Sequence, residues 1–201
     1  MDETWFRPLV WTDYRLAVLF TVILPVILLI WALVRQADAI LRLLIIYWRV
    51  SSLLMITVYL AIATWSCPFS YITGFVARVL IPISLWFWVD LNDEIRDLPQ
   101  SFLKLALTSW RWAVTIYSSL GAIASLPFLS CAFSGREYAV NTPFCRVWLE
   151  APWGYKEWFH PNASPGFLGF LGMVGLIVYT LYFAYFLLIR LGKQGRSALE
   201  Q

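Results

Sequence analysis

From Leu16 to Val34 the chain carries no charged residue, and Arg15 and Arg35 bracket the run. A helix rises about 1.5 Å per residue, so roughly 20 apolar residues cross the ~30 Å hydrocarbon core of a bilayer. The pattern recurs. The stretch between Arg49 and Arg78 is also uncharged but too long for one span. Ser66-Cys67-Pro68-Phe69-Ser70 reads as the turn that divides it. The reading is an all-α polytopic integral membrane protein of about five transmembrane helices. The spans fall near 16–34, 48–65, 71–89, 112–133 and 167–189, in a single membrane domain over 1–201, with one aromatic-rich outer loop at 134–166. The second helix should begin as early as Ala39, ahead of its membrane part. Met1-Asp2-Glu3 has no basic segment, so the first span is read as a retained helix rather than a cleavable signal. Only 13% of residues are charged, against about 25% in soluble domains. That excludes a soluble enzyme, a nucleic-acid-binding domain and a disordered adaptor.

Orientation follows from Lys and Arg. One side receives Arg7, Arg15, Arg136, Arg146 and Lys156, five in all. The other receives Arg35, Arg42, Arg49, Arg96, Lys104, Arg111, Arg190, Lys193 and Arg196, nine in all. The N-terminus is therefore expected outside or in a lumen, and the C-terminus in the cytoplasm. Cys67, Cys131 and Cys145 then all fall on the outer side, where disulfides persist. A Cys131–Cys145 bond would close the base of the long loop; the alternative is three ordinary small residues.

Several features bear on packing. Pro25 deprives the Thr21 carbonyl of its helical donor, Pro82 does the same to Arg78, and Pro127 should bend or end the fourth helix. Gly169, Gly172 and Gly175 recur at every third position, a smooth surface that admits another helix or a flat ligand. Tyr179, Tyr182 and Tyr185 continue that spacing as a ridge. A partner within the chain is favoured. Tryptophans such as Trp11, Trp31, Trp48, Trp65, Trp86, Trp88, Trp110 and Trp112 sit near span ends, as interfacial belts do; contact with a pigment or quinone is the alternative. In the outer loop, Trp148, Trp153 and Trp158 are the candidate partner-contact residues, because aromatics dominate binding hot spots. Plain membrane contact is the competing reading.

The charges supply the remaining candidates. Arg78 lies inside the third span, where an arginine costs at least about 2.5 kcal/mol unless it snorkels or is paired. No Asp or Glu falls within any expected span, so Arg78 is the candidate contact for an anionic lipid or a partner. Arg49 and Arg111 lie nearer the cytoplasmic face and need no special account. Asp90, Asp93, Glu94 and Asp97 would share one helical face inside the cytoplasmic surface. They form either a cation or docking face or, more simply, a solvated acidic turn with Asp97 capping a helix that restarts at Leu98-Pro99. No metal site and no catalytic residue is expected. His160 is the single histidine, intramembrane carboxylates are missing, and no nucleophile or phosphate-binding motif is present.

Trp86-Phe87-Trp88-Val89-Asp90-Leu91-Asn92-Asp93-Glu94 and the opening Trp5-Phe6-Arg7-Pro8-Leu9-Val10-Trp11-Thr12-Asp13-Tyr14-Arg15-Leu16 resemble an uncharacterised family of cyanobacterial polytopic membrane proteins, a domain of unknown function. The resemblance implies a thylakoid or plasma membrane and transfers no activity or site residue. The function expected is a non-catalytic integral membrane protein binding other membrane proteins, an accessory or assembly factor of photosynthetic complexes. No cofactor is expected, though a bound lipid or pigment is compatible. The alternative is a small lipid- or quinone-handling membrane enzyme or carrier using Arg78.

Overall fold

A computed structural model describes residues 5–198. Five helices are long and apolar enough to cross a membrane: α1 (Arg7–Arg35), α2 (Asp38–Ile62), α3 (Cys67–Trp86), α5 (Phe102–Phe133) and α8 (Pro165–Arg190). Between them lie α4 (Val89–Asp97), α6 (Arg136–Asn141) and α7 (Pro143–Phe159), and α9 (Leu191–Gln194) follows α8. The described residues contain no strand. The protein is thus an all-α polytopic membrane protein, and its apolar helices suit a lipid bilayer.

The helix bounds depart from those expected at identifiable signals. α1 starts at Arg7 because Pro8 occupies its first turn, where a missing N–H costs nothing. It ends at Gln36, which adopts the left-handed conformation (φ 51°) and lets α2 begin within two residues. α2 stops at Ile62, short of Trp65, and Cys67-Pro68 opens α3 instead of lying in the turn. α3 in turn ends at Trp86 rather than 89. α5 begins at Phe102, ten residues earlier than the span itself, capped by the Ser101 hydroxyl that accepts from the Lys104 amide. The cap is therefore Ser101 and not Asp97. At Pro127 this helix tightens into a 3₁₀ turn before its last stretch. Ser164 caps α8, with Pro165 at its first position. Segment 134–166, read as a loop, is largely helical, and α7 runs through both Pro152 and Gly154.

In hydrocarbon the helices gain little from apolar burial alone, so packing and internal hydrogen bonds decide how they associate. α2 and α3 form the centre, with their most extensive contact to each other. α1 and α5 close one flank. There Leu43, Leu44, Tyr47, Ile81, Leu85 and Leu107 are buried. The donors missing around Pro25 come from other helices. α1 widens into a π turn at Val18–Ile23, leaving carbonyls without helical donors. Tyr47 of α2 donates its hydroxyl to the Thr21 carbonyl (2.8 Å), and Trp110 of α5 donates its indole N–H to that of Phe20 (2.8 Å). The two rings meet edge to face at 4.9 Å.

α8 occupies the other flank and leans mainly on α2. The glycine surface is what meets it, a partner within the chain. A Cβ on Gly172 would come within 2.9 Å of the Leu60 nitrogen, and one on Gly169 within 2.4 Å of the Ala63 Cβ. A Cβ on Gly166 meets nothing within 4 Å. Gly172→Ala should therefore lower stability by about 1–3 kcal/mol, whereas Gly166→Ala should be near neutral. Unfolding of the detergent-solubilised variants would measure the contrast.

Candidate functional site

A largely buried pair of opposite charges lies in the half of the bundle that holds the start of α1. Arg78 sits eleven residues into α3, roughly 16 Å along the axis, so its guanidinium must be satisfied within the protein. Its counter-ion is Asp13. Because α1 begins at Arg7, Asp13 is inside a membrane helix, and the expectation that Arg78 lacks an internal partner is corrected. Nη1 donates to Asp13 Oδ1 at 3.1 Å and Nη2 to Oδ2, a bidentate pair. The side chains are only 12% and 20% exposed. The single hydroxyl proton of Tyr117 on α5 is shared between Asp13 Oδ1 and the Asp13 carbonyl, both at 2.9 Å. The Arg78 guanidinium also lies 5.6 Å from the Tyr117 ring centre and 6.0 Å from that of Trp148.

Room for that guanidinium comes from Gly121. A Cβ there would stand 1.7 Å from Arg78 Nη1, and the two bonds to Asp13 leave the group little freedom to move aside. Residues of α1, α3, α5 and α7 thus converge on one buried polar layer.

α7 lies across the end of the bundle where α1 and α3 begin. Glu150 accepts from Arg7 Nε (2.8 Å) and from the Trp11 indole (3.0 Å), while Tyr14 donates to the Trp148 carbonyl at 2.6 Å. Tyr71 of α3 donates to the Cys145 carbonyl at 2.9 Å. Cys131 and Cys145 form a disulfide that joins the end of α5 to the start of α7, with their Cα atoms 5.9 Å apart. Phe128 stacks on Phe144 at 4.2 Å beside it. At the other end of α7, His160 Nε2 and the Tyr59 hydroxyl share a 2.9 Å hydrogen bond. The three loop tryptophans therefore part company. Trp148 turns inward to Arg78, Trp153 is 37% exposed, and Trp158 is 85% exposed next to exposed Phe159.

At the opposite end of the bundle the four acidic residues do sit on one helix, α4, but structural contacts take three of them separately. Asp90 accepts from the Ala198 amide (2.7 Å) and the Ser197 hydroxyl (3.0 Å), Glu94 pairs with Arg42, and Asp93 pairs with Arg96. No group of three or more His, Cys, Asp or Glu side chains gathers as a metal site among the described residues. Arg111 needs the account that its position in the sequence did not suggest, because it is only 4% exposed. Its guanidinium lies 4.0 Å from the Trp86 ring centre, and Nη2 donates to the Leu85 carbonyl (2.6 Å) and Asn92 Oδ1 (2.5 Å).

Chemically, both oxygens of Asp13 are engaged and Arg78 already holds an anion. The pair fastens α1 to α3 through one N–H from each terminal nitrogen of the guanidinium. Sequence reasoning missed Asp13, Gly121 and Glu150. Pro8 was the available signal for the first, since a helix starting there encloses Asp13.

Two predictions follow from these contacts. Removing one member of a buried ion pair costs about 3–5 kcal/mol, so Asp13→Asn should destabilise strongly. Asp13→Asn combined with Arg78→Met should recover much of the loss, and Gly121→Ala should resemble Asp13→Asn; thermal unfolding in detergent reads all three. On α4, burial opposes ionisation of Asp90, yet the bonds from Ala198, Leu91 and Ser197 prevail and hold its carboxyl below the usual range. A depressed carboxylate stabilises at pH values above its unfolded pKa of about 3.9 and loses that contribution as pH falls through the lower folded value. Protection of the Ala198 amide against hydrogen exchange, corrected for intrinsic rate, should persist at pH 5 and fade only below about pH 4.

A family model described as "Protein of unknown function (DUF3177)" matches residues 7–199, and the chain belongs to that family. No curated protein and no solved structure matches the chain.

Proposed function

We propose that this member of the DUF3177 family is a non-catalytic integral membrane protein that binds other membrane proteins, an accessory or assembly factor of photosynthetic complexes. The observation that carries the reading is the exposed side of α8. This helix is fastened to α2 along one glycine edge, while Phe170, Ile177, Val178, Leu181 and Leu188 are all more than half exposed. Trp158 and Phe159, which precede α8 in the chain, are exposed as well. Exposed aromatics next to an unpacked helix suit docking against another span, where van der Waals contact replaces lipid.

A non-catalytic role is supported by how the buried polar groups are spent. Asp13, Arg78 and Tyr117 bind one another, and Tyr47 and Trp110 cap helix carbonyls. These groups hold helices together and leave none of their own set poised for chemistry. The proposed orientation places the N-terminus outside or in a lumen and the C-terminus in the cytoplasm. It is supported by the nine-to-five bias of Lys and Arg and by a disulfide at the outer end, where oxidising conditions prevail. The thylakoid or plasma membrane of a cyanobacterium rests on the resemblance of residues 5–16 and 86–94.

The test is gentle solubilisation of tagged protein from its native membrane, with identification of stoichiometric companions. Integral subunits of a photosynthetic complex should co-purify. Leu181→Trp with Val178→Trp should reduce their recovery at least about tenfold, a loss of ~1.4 kcal/mol in binding, without changing thermal stability. Recovery of a free monomer under assembly conditions would sink the proposal.

A further inference from the structure

α8 carries no charged residue from Pro165 to Ile189. Its N-terminal half closes on α2 through Gly169, Gly172 and Gly175. Along its C-terminal half, Tyr179, Tyr182, Phe183 and Phe186 line a cleft of about 290 Å³ between α2, α3 and α8. Phe87 and Trp88 add two more rings to the walls, and no carboxylate lines them. Tyr179 stacks on Phe183 at an interplanar angle of 16°, and Phe183 on Phe186 at 25°, so three ring faces run nearly parallel along one wall. Ile83 and Leu187, which also line the cleft, are 50% and 43% exposed, so it opens sideways into lipid.

Two polar groups reach this space at a depth where lipid headgroups do not. Tyr179 precedes Arg190 by eleven residues, roughly 16 Å along the axis and so near the middle of a ~30 Å hydrocarbon core. It is half-buried, and its hydroxyl has no hydrogen-bond partner among the described residues. An unpaired hydroxyl is costly in hydrocarbon. Arg49 of α2 is an exposed member of the same lining and makes no ion pair among the described residues. Its Nη1 has the Tyr182 hydroxyl at 3.5 Å, the outer limit of a hydrogen bond. Tyr182 precedes Arg190 by eight residues, and helix side chains lean towards the N-terminus. The contact therefore keeps the guanidinium at least ~12 Å from the level of Arg190. Arg190 lines the cleft too, but it has a partner of its own.

We propose that the cleft binds a lipid-soluble quinone. The ring lies on the aromatic wall, one carbonyl oxygen accepts from Arg49, the other accepts from the Tyr179 hydroxyl, and the apolar tail leaves through the side opening. Depth and chemistry select this class together. A phospholipid carries its phosphate and ester oxygens at the membrane interface, away from the level of Tyr179. A quinone brings neutral acceptors on an apolar body to any depth. Its flat ring suits near-parallel aromatic faces, and a mostly apolar pocket with a few placed donors is the usual form of a small-molecule site. The volume stands at the lower end of such pockets, roughly 300–1,000 Å³, and holds one ring with the first part of its tail. Trp88 contributes its ring alone, since its indole N–H is sealed inside the protein. The site is separate from Arg78, which Asp13 already holds. The inference goes beyond the partner-binding reading, whose Val178, Leu181 and Leu188 do not line the cleft.

The test loads detergent-purified protein with decylplastoquinone, decylbenzene or dioleoyl phosphatidylglycerol, removes unbound probe by gel filtration, and quantifies what stays bound. The wild type should retain one decylplastoquinone in preference to the phospholipid and to decylbenzene, which has the same tail on a ring without oxygens. Tyr179→Phe should weaken quinone retention about fivefold and Arg49→Met about tenfold or more, the losses that a neutral and a charge-assisted hydrogen bond imply. Retention of decylbenzene should change in neither variant. Equal retention of quinone and decylbenzene by the wild type, unchanged quinone retention in either variant, or preferred retention of the phospholipid would each overturn the inference. Thermal melts check folding. Tyr179→Phe removes a single oxygen from a half-buried ring, so it decides alone if Arg49→Met does not fold. The readout is bound quinone, so its failure is distinguishable from loss of a co-purifying protein.

Discussion

An ion pair inside a membrane bundle imposes a condition on everything around it. Water is not available to solvate Arg78, so the protein must bring Asp13 to it, satisfy Asp13 in turn with Tyr117, and leave a glycine at 121 for the guanidinium to occupy. These four residues come from three helices, so the pair sets how α1, α3 and α5 sit together. It also recruits α7, whose Trp148 ring faces the guanidinium and whose Glu150 ties down Arg7 and Trp11 near the start of α1. A buried pair of this kind is weak as a source of net stability but strict about geometry, because either partner alone would be an uncompensated charge.

The same rule governs the backbone. Pro25 and the π turn in α1 release carbonyls that hydrocarbon cannot satisfy, and Tyr47 and Trp110 supply the donors. Two of the aromatic residues that an interfacial-belt reading would pass over are structural donors in the bundle core. α8 makes a different use of side-chain size. Small residues let its N-terminal half close on α2, large ones line a cleft along its C-terminal half, and a single helix thereby provides both a seam and a cleft.

Much of the architecture was legible in one dimension. Runs without charge announced five spans, and their spacing announced the connections, because hydrophobic length is a local property of the chain. Family membership agrees with the resemblance carried by residues 5–16 and 86–94, since the family model covers residues 7–199. The glycine surface was visible as a packing face, although its partner, α2, was not. Helix ends were harder. Pro8 and Cys67-Pro68 started helices where hydropathy alone placed a tail and a turn, and the outer segment carried enough helical character to run through Pro152.

The candidate site shows where sequence reasoning stops. Arg78 stood out because charge in hydrocarbon is costly wherever its partner lies. Asp13 did not, since it lies 65 positions away and only folding makes that separation a contact. Arg111 is a similar case: its sequence neighbours place it near a membrane face, whereas Trp86, Leu85 and Asn92 bury it. The acidic run on α4 gives the converse, four carboxylates that share a helix in sequence yet of which three answer to separate partners in space. The sequence by itself determined the solvent this chain needs, the number of its spans and the residues too polar to be left alone there. Which of those residues satisfy one another was decided only by the tertiary structure, because pairing depends on distances between helices and a linear pattern contains none.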